Sequence, residues 1–151
     1  MSVYEELKQR GLVLPAPPAR GGVYTPVKQV GNLLFVSGQG PVLDGVARYV
    51  GKVGAERSVE EGQEAARICI LNTLALVEQH IGDLNRVKNV VKLLGLVNSG
   101  DGFNRQPEVI NGASQLLVDL FGDRGWHARS AIGSNELPGD ITVEIESIFE
   151  I

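Results

Sequence analysis

The chain has 151 residues, 43% hydrophobic and 21% charged, which suits one soluble globular domain with a real core and speaks against disorder, collagen or a coiled coil. Its formal net charge is −4 and its 14 basic residues are scattered, which argues against nucleic acid as the main partner, since a phosphate backbone is normally met by a dense Lys/Arg surface. No apolar run approaches a membrane span and no apolar leader opens the chain, so it reads as cytoplasmic.

Residues 2–10 form an amphipathic pattern, with Val3 and Leu7 on one side and Glu5, Glu6 and Lys8 on the other. Gly11 ends this predicted helix. Pro15, Pro17 and Pro18 then impose an extended linker, because proline fixes φ and disfavours helix before it. Residues 1–21 thus read as a helical, proline-rich arm, and residues 22–151 as a single domain. Within that domain, 23–30 and 32–36 read as strands around the turn Gly31-Asn32. The unbroken apolar run Leu33-Leu34-Phe35-Val36 suggests a strand covered on both faces. Asp44-Gly45 marks a further turn before a short strand over 46–50.

Ser58-Val59-Glu60-Glu61 has the form of a capping box, in which hydroxyl and carboxylate satisfy each other's backbone amides. The helix it opens is predicted to reach Ile81, burying Ala66, Cys69, Ile70, Thr73, Leu74, Val77 and Ile81, with Gly82 as its left-handed cap. The Val- and Leu-rich stretch 87–97 predicts a central strand. A second long helix starts near Pro107, buries Ile110, Ala113, Leu116, Leu117 and Leu120, and stops at Gly122. Strands over 128–133 and 141–149 close the chain. The order predicts an α+β fold: a mixed β-sheet with two helices packed on one face.

Cys69 lies in an apolar helical stretch and reads as a buried, inert thiol; one Cys and two His without clustered spacing give no metal signature. In the last strand Glu144 and Glu146 alternate away from Val143, Ile145, Ser147 and Phe149. By spacing, this acidic pair fits either a solvated sheet face or the lining of a cleft or subunit interface. Arg129 offers a planar fork that matches a carboxylate, and spacing alone favours an ion pair with Glu144 or Glu146. His127, beside Trp126, reads as structural or exposed rather than as a general base. Gly38-Gln39-Gly40 lacks the third glycine and the helix of a phosphate-binding loop.

Four stretches carry a resemblance over residues 22–151: 31–39 (Gly-Asn-Leu-Leu-Phe-Val-Ser-Gly-Gln), Asn111, Ala128-Arg129-Ser130, and 137–146 (Leu-Pro-Gly-Asp-Ile-Thr-Val-Glu-Ile-Glu). In order and spacing they are similar to the RidA/YjgF family, also known as endoribonuclease L-PSP-like proteins. The resemblance implies a chorismate-mutase-like fold, a homotrimer with sites between subunits, and hydrolysis of 2-iminobutanoate- or 2-iminopropanoate-type imino acids and their enamines to 2-keto acids and ammonia. It implies that Arg129 clamps the substrate carboxylate and that Glu144 handles the attacking water. Tyr24, Ser37, Gly38, Asn111 and Ala131 would complete the site, and neither metal nor organic cofactor is implied.

The sequence departs from the family where Arg-Ser-Cys-Val-Glu-Val is typical: here it reads Arg129-Ser130-Ala131-Ile132-Gly133-Ser134. The arm and the longer segment 98–106 are further departures, and together they suggest a divergent subgroup. Two alternatives stand beside the deaminase: a non-catalytic or regulatory binder of a small carboxylate in the same cleft, and an RNA-directed activity, which the acidic charge and the lack of a basic, aromatic stripe disfavour.

Overall fold

The computed structural model describes all 151 residues. Helix α1 (Val3–Gln9) is followed by strands β1 (Val27–Val30) and β2 (Leu33–Gln39), then a small hairpin of β3 (Val42–Leu43) and β4 (Val46–Ala47). Helix α2 (Val59–Ile81), strand β5 (Asn89–Asn98), helix α3 (Gln106–Phe121), strand β6 (Ala128–Ser134) and strand β7 (Val143–Glu150) complete the order. No helix is long and apolar enough to cross a membrane.

The five long strands lie in the order β1-β2-β7-β5-β6. Strands β2 and β5 both run antiparallel to β7, while β5 and β6 run parallel. Strands β2 and β5 are therefore parallel to each other, with a gap between them that the last strand fills. Parallel neighbours need a crossover, and α2 and α3 supply the two crossovers, giving the predicted mixed sheet with helices on one face. The core between them holds Leu34, Ile70, Leu74, Leu93, Ile110, Leu117, Ile145 and Phe149, all essentially without solvent access.

Both helices form where the local chemistry directs. The Ser58 Oγ accepts from the Glu61 amide at 3.1 Å, and Glu61 Oε1 accepts from the Ser58 amide at 3.0 Å, a cap worth about 1 kcal/mol. Gly82 closes α2 with φ of 86°, in the left-handed region that a Cβ disfavours. All the residues expected to be buried along α2 and α3 are buried. The helices approach each other closely because glycines face the contact: a Cβ on Gly112 would lie 2.3 Å from the Gln63 carbonyl oxygen.

Three local expectations change: the strand expected over 46–50 is confined to β4, Val46–Ala47. The first strand is shorter than its sequence pattern, starting at Val27 rather than residue 23, because Pro26 has no N–H to donate and supplies only its carbonyl, to the Ser37 amide. The run Leu33–Val36 is not covered on both faces: Leu34 and Val36 are buried, whereas Leu33 and Phe35 are over a third exposed. One helical layer shields one face only. The opposite face presents Leu33, Phe35, Leu94, Leu96, Ile132 and Ile148, all at least partly exposed.

The amino-terminal segment is tied to the rest of the chain. Val3 and Leu7 belong to the same core cluster as the sheet, the Tyr4 hydroxyl accepts from the Leu84 amide, and Asn85 Oδ1 accepts from the Val3 amide. Cys69 is fully buried, and its thiol points to the Val143 carbonyl at 3.6 Å. Burial pushes its pKa well up, as expected of an inert thiol.

Candidate functional site

Arg129 lies near the start of β6, level with Leu93 of β5 and Ser147 of β7. Both of those are buried on the helical side, so the Arg129 side chain rises toward α3. Its Nη1 donates to Asn111 Oδ1 at 2.8 Å and to Ser114 Oγ at 3.1 Å. Asn111 and Ser114 stand three residues apart on one helix face, which is why both reach the same nitrogen. Arg129 takes part in none of the ion pairs of the chain. The predicted pairing with Glu144 or Glu146 is thus replaced by neutral partners, because the two acids project from the other side of the sheet.

The guanidinium fronts a cavity of about 380 Å³ lined by Asn111, Ser114, Gln115, Val118, Trp126, His127 and Arg129. Trp126 is largely exposed at its rim. His127 is not a free surface imidazole: its Nδ1 lies 2.7 Å from the Gly125 carbonyl and its Nε2 lies 2.9 Å from Ser114 Oγ. Burial holds its pKa below the usual value, the Gly125 carbonyl opposes that shift, and the Arg129 charge adds to it. Partial burial likewise lowers the Arg129 pKa from its high ordinary value, with no consequence for its charge near neutrality.

Tyr24, Ser37, Gly38 and Glu144 gather instead at the open face. Between Val36 and Gln39 the β2/β7 register slips, bulging Ser37 and Gly38 out of the ladder; bulges of this kind re-aim main-chain groups. Gln39 Nε2 donates to both the Ser37 carbonyl and its Oγ, fixing the bulge. Glu144 lies directly over Gly38, where a Cβ would stand 2.7 Å from Glu144 Oε2. The Glu144 pKa is raised first by burial, then by the neighbouring charge of Glu146. Tyr24, with Ser37, Gly38, Lys28, Lys92 and Glu146, lines a cavity of about 600 Å³. Its hydroxyl accepts from the Gly21 amide at 3.0 Å and its carbonyl accepts from Arg20, so the proline-rich segment holds the ring in place.

The structure therefore assembles two partial constellations. One contains Arg129 and Asn111. The other contains Tyr24, Ser37, Gly38 and Glu144. Ala131 shares the Arg129 face two residues along β6 and packs against the core, outside the lining of the Arg129 cavity. Within one chain the halves do not meet, because Glu144 is level with Leu96 and Ile132 on the face opposite Arg129. Sequence reasoning overlooked Ser114 and set His127 aside. The available signal was the pairing of a three-residue helical spacing, Asn111 to Ser114, with the two-residue extended spacing of His127 and Arg129.

Gly38→Ala is expected to push the Glu144 carboxylate off the bulge, cutting any Glu144-dependent turnover about tenfold or more while moving thermal unfolding little, since the displaced group is a side-chain terminus at a partly open site. Steady-state kinetics beside a melting curve checks it; unchanged kcat would remove Glu144 from the reacting atoms.

The YjgF/chorismate mutase-like, putative endoribonuclease family model matches residues 5–143. "Protein TCP17" of Trypanosoma cruzi is 41% identical over 150 residues, covering 99% of this chain and 94% of its own. A crystal structure of a putative endoribonuclease from Shewanella oneidensis superposes with a TM-score of 0.97 at 34% identity, over the whole of both chains. RidA from an Antarctic Psychrobacter superposes with a TM-score of 0.64 at 27% identity, covering 92% of this chain and 96% of its own. The family residues sit on the fold their spacing required, and the chain belongs to the RidA/YjgF family, the YjgF/chorismate mutase-like, putative endoribonucleases.

Proposed function

We propose that this protein hydrolyses 2-imino acids and their enamine tautomers, of the 2-iminobutanoate and 2-iminopropanoate type, to 2-keto acids and ammonia. The site would lie between copies of the chain in a homotrimer. The observation that carries this reading is Arg129: a guanidinium paired with no acid, held through one nitrogen by neutral partners, in the lining of a cavity. An uncompensated, partly buried cation is costly unless an anion completes it, and a substrate carboxylate has the matching fork.

The split between faces supports a shared site. The helix-free face is apolar across several strands, and a face of that kind is normally covered by another layer. A second copy laid there would bring its own Arg129 edge toward the Tyr24, Ser37, Gly38 and Glu144 of the first. The imine carbon is already electrophilic, so the protein has only to hold the anion, place a water and move protons. Glu144 takes a proton from the water as its oxygen bonds to the imine carbon and returns that proton to the nitrogen; the carbinolamine so formed then passes its hydroxyl proton to the amino group as the C–N bond breaks, leaving the keto acid and ammonia. A raised carboxyl pKa suits this role, being nearer the working pH than that of an ordinary carboxylate.

The test couples an amino-acid oxidase to the protein and follows loss of the nascent imine. Accelerated loss supports the reading; rates equal to the uncatalysed control overturn it. A parallel assay on single-stranded RNA, with Arg129→Ala as the contamination control, addresses the endoribonuclease activity in the family's name.

Glu144 must be ionised to accept a proton, and its pKa is raised above the usual carboxylate range. Turnover should therefore fall on acidification at a higher pH than an ordinary glutamate would give. Glu146→Gln removes the second cause of that rise and should move the acid limb to lower pH. An unmoved limb would assign it to another group.

A further inference from the structure

The hydrogen-bond chain behind Arg129 has a fixed direction. The Gly125 carbonyl can only accept, so His127 Nδ1 must carry a proton. In the neutral ring Nε2 is then bare and accepts from the Ser114 hydroxyl. With its proton spent on the imidazole, Ser114 Oγ turns a lone pair to Arg129 Nη1. Asn111 Oδ1 takes the other Nη1 hydrogen. Both Nη1 hydrogens are thereby consumed, and the edge formed by Nε and Nη2 is left as the bidentate face for a ligand.

We infer that Ser114 and His127 are positioning residues of the Arg129 clamp, which present its Nε/Nη2 edge to a 2-oxo or 2-imino carboxylate and couple carboxylate affinity to the protonation of the imidazole. This rests on the proposed role of Arg129 but adds residues that the family resemblance did not bring forward.

The coupling follows from charge. Around the His127 ring stand Ser114 and Gln115 of α3, the Gly125 carbonyl of the turn before β6, and Arg129 of β6. Arg129 is the charged group among them. Asp119, the next acid along α3, is engaged by Arg10 and Gln115, and Arg124 is turned to the Asn85 and Val87 carbonyls. Protonating His127 places a second cation beside Arg129, which both disfavour until an anion binds between them and the solvent. A bound carboxylate therefore raises the imidazole pKa. By linkage, affinity must increase as pH falls through the imidazole titration.

The experiment titrates 2-oxobutanoate into the full-length protein by calorimetry between about pH 5 and 8, and records the imidazole ¹⁵N shifts by NMR. The parent should bind more tightly toward acid, with the His127 ring in the Nδ1–H form at neutral pH. His127→Gln should flatten the pH dependence while still binding. Ser114→Ala should weaken binding at every pH by roughly three- to tenfold, the worth of one hydrogen bond, and Ser114→Thr should restore it by returning the hydroxyl. An Nε2–H tautomer, a His127→Gln profile like the parent's, or parental affinity in Ser114→Ala overturns the inference. Each of these leaves the deaminase reading standing. Keto-acid binding without imine turnover sinks that reading and leaves the inference intact, whereas failure of the parent to bind 2-oxobutanoate removes the clamp itself.

Discussion

Replacing Arg129 by alanine is expected to lower kcat/KM for the proposed imine hydrolysis by about two to three orders of magnitude. Truncating one partner of a hydrogen-bonded charge pair costs roughly 2–5 kcal/mol, and each 1.4 kcal/mol is tenfold. Two features of the structure sharpen the expectation. Arg129 forms no ion pair inside the chain, so its removal leaves no buried acid unpaired and the unfolding midpoint should hold. Asn111 and Ser114 retain each other's neighbourhood and His127, so the cavity keeps its walls. Loss of turnover with unchanged melting is thus the signature sought. Arg129→Lys keeps the charge but loses the planar fork, and should recover only a minor part of the rate. A parental rate in the alanine variant, measured on freshly generated imine, would dismiss the clamp.

Gly112→Ala should be the most damaging small substitution for stability. The added methyl would stand 2.3 Å from the Gln63 carbonyl oxygen and 2.8 Å from its Cα. These are backbone atoms of α2, so no flexible side chain can give way, and α3 must move. Overpacking of this kind costs about 3 kcal/mol, or a fall of roughly 6–12 °C in Tm for a chain of this size. Because Asn111 and Ser114 ride on the same helix, the displacement should also loosen the Arg129 partners and raise KM at temperatures where the variant is folded. Glu64→Ala, exposed on α2 and away from the Arg129 cavity, is the control and should change stability by less than about 0.5 kcal/mol. Equal melting of Gly112→Ala and the parent would mean that the helix pair is not packed through this contact.

Local chemistry accounts for how much of the fold was legible. Ser58 and Glu61 cap α2 and Gly82 ends it because those interactions lie within four residues of one another. The apolar stripes of α2 and α3 follow from helical spacing, which needs no knowledge of the partner surface. The first strand was misjudged at its start because the deciding fact, that Pro26 lacks an amide where pairing would continue, competes with a strong apolar pattern. Leu33–Val36 looked doubly buried because composition registers how apolar a strand is and not how many layers the chain can supply. The apolarity is real, and it lies on the face that the helices leave open.

The site divides along the same line. The candidate site residues, Arg129, Glu144, Tyr24, Ser37, Gly38, Asn111 and Ala131, follow in the sequence from their place in a resemblance to a family, and the capped helices and alternating strands are legible there too. Only the tertiary structure decided their grouping. Strand register sends Arg129 to the helical side and Glu144 to the open side, so one chain keeps them apart. It also placed Ser114, overlooked in the sequence, and His127, set aside there, next to the Arg129 guanidinium. The physical reason is that hydrogen bonds and charge effects act over a few ångströms in space, whereas Ser114, His127 and Arg129 come from separate elements that only the packing of α3 against β6 brings within reach.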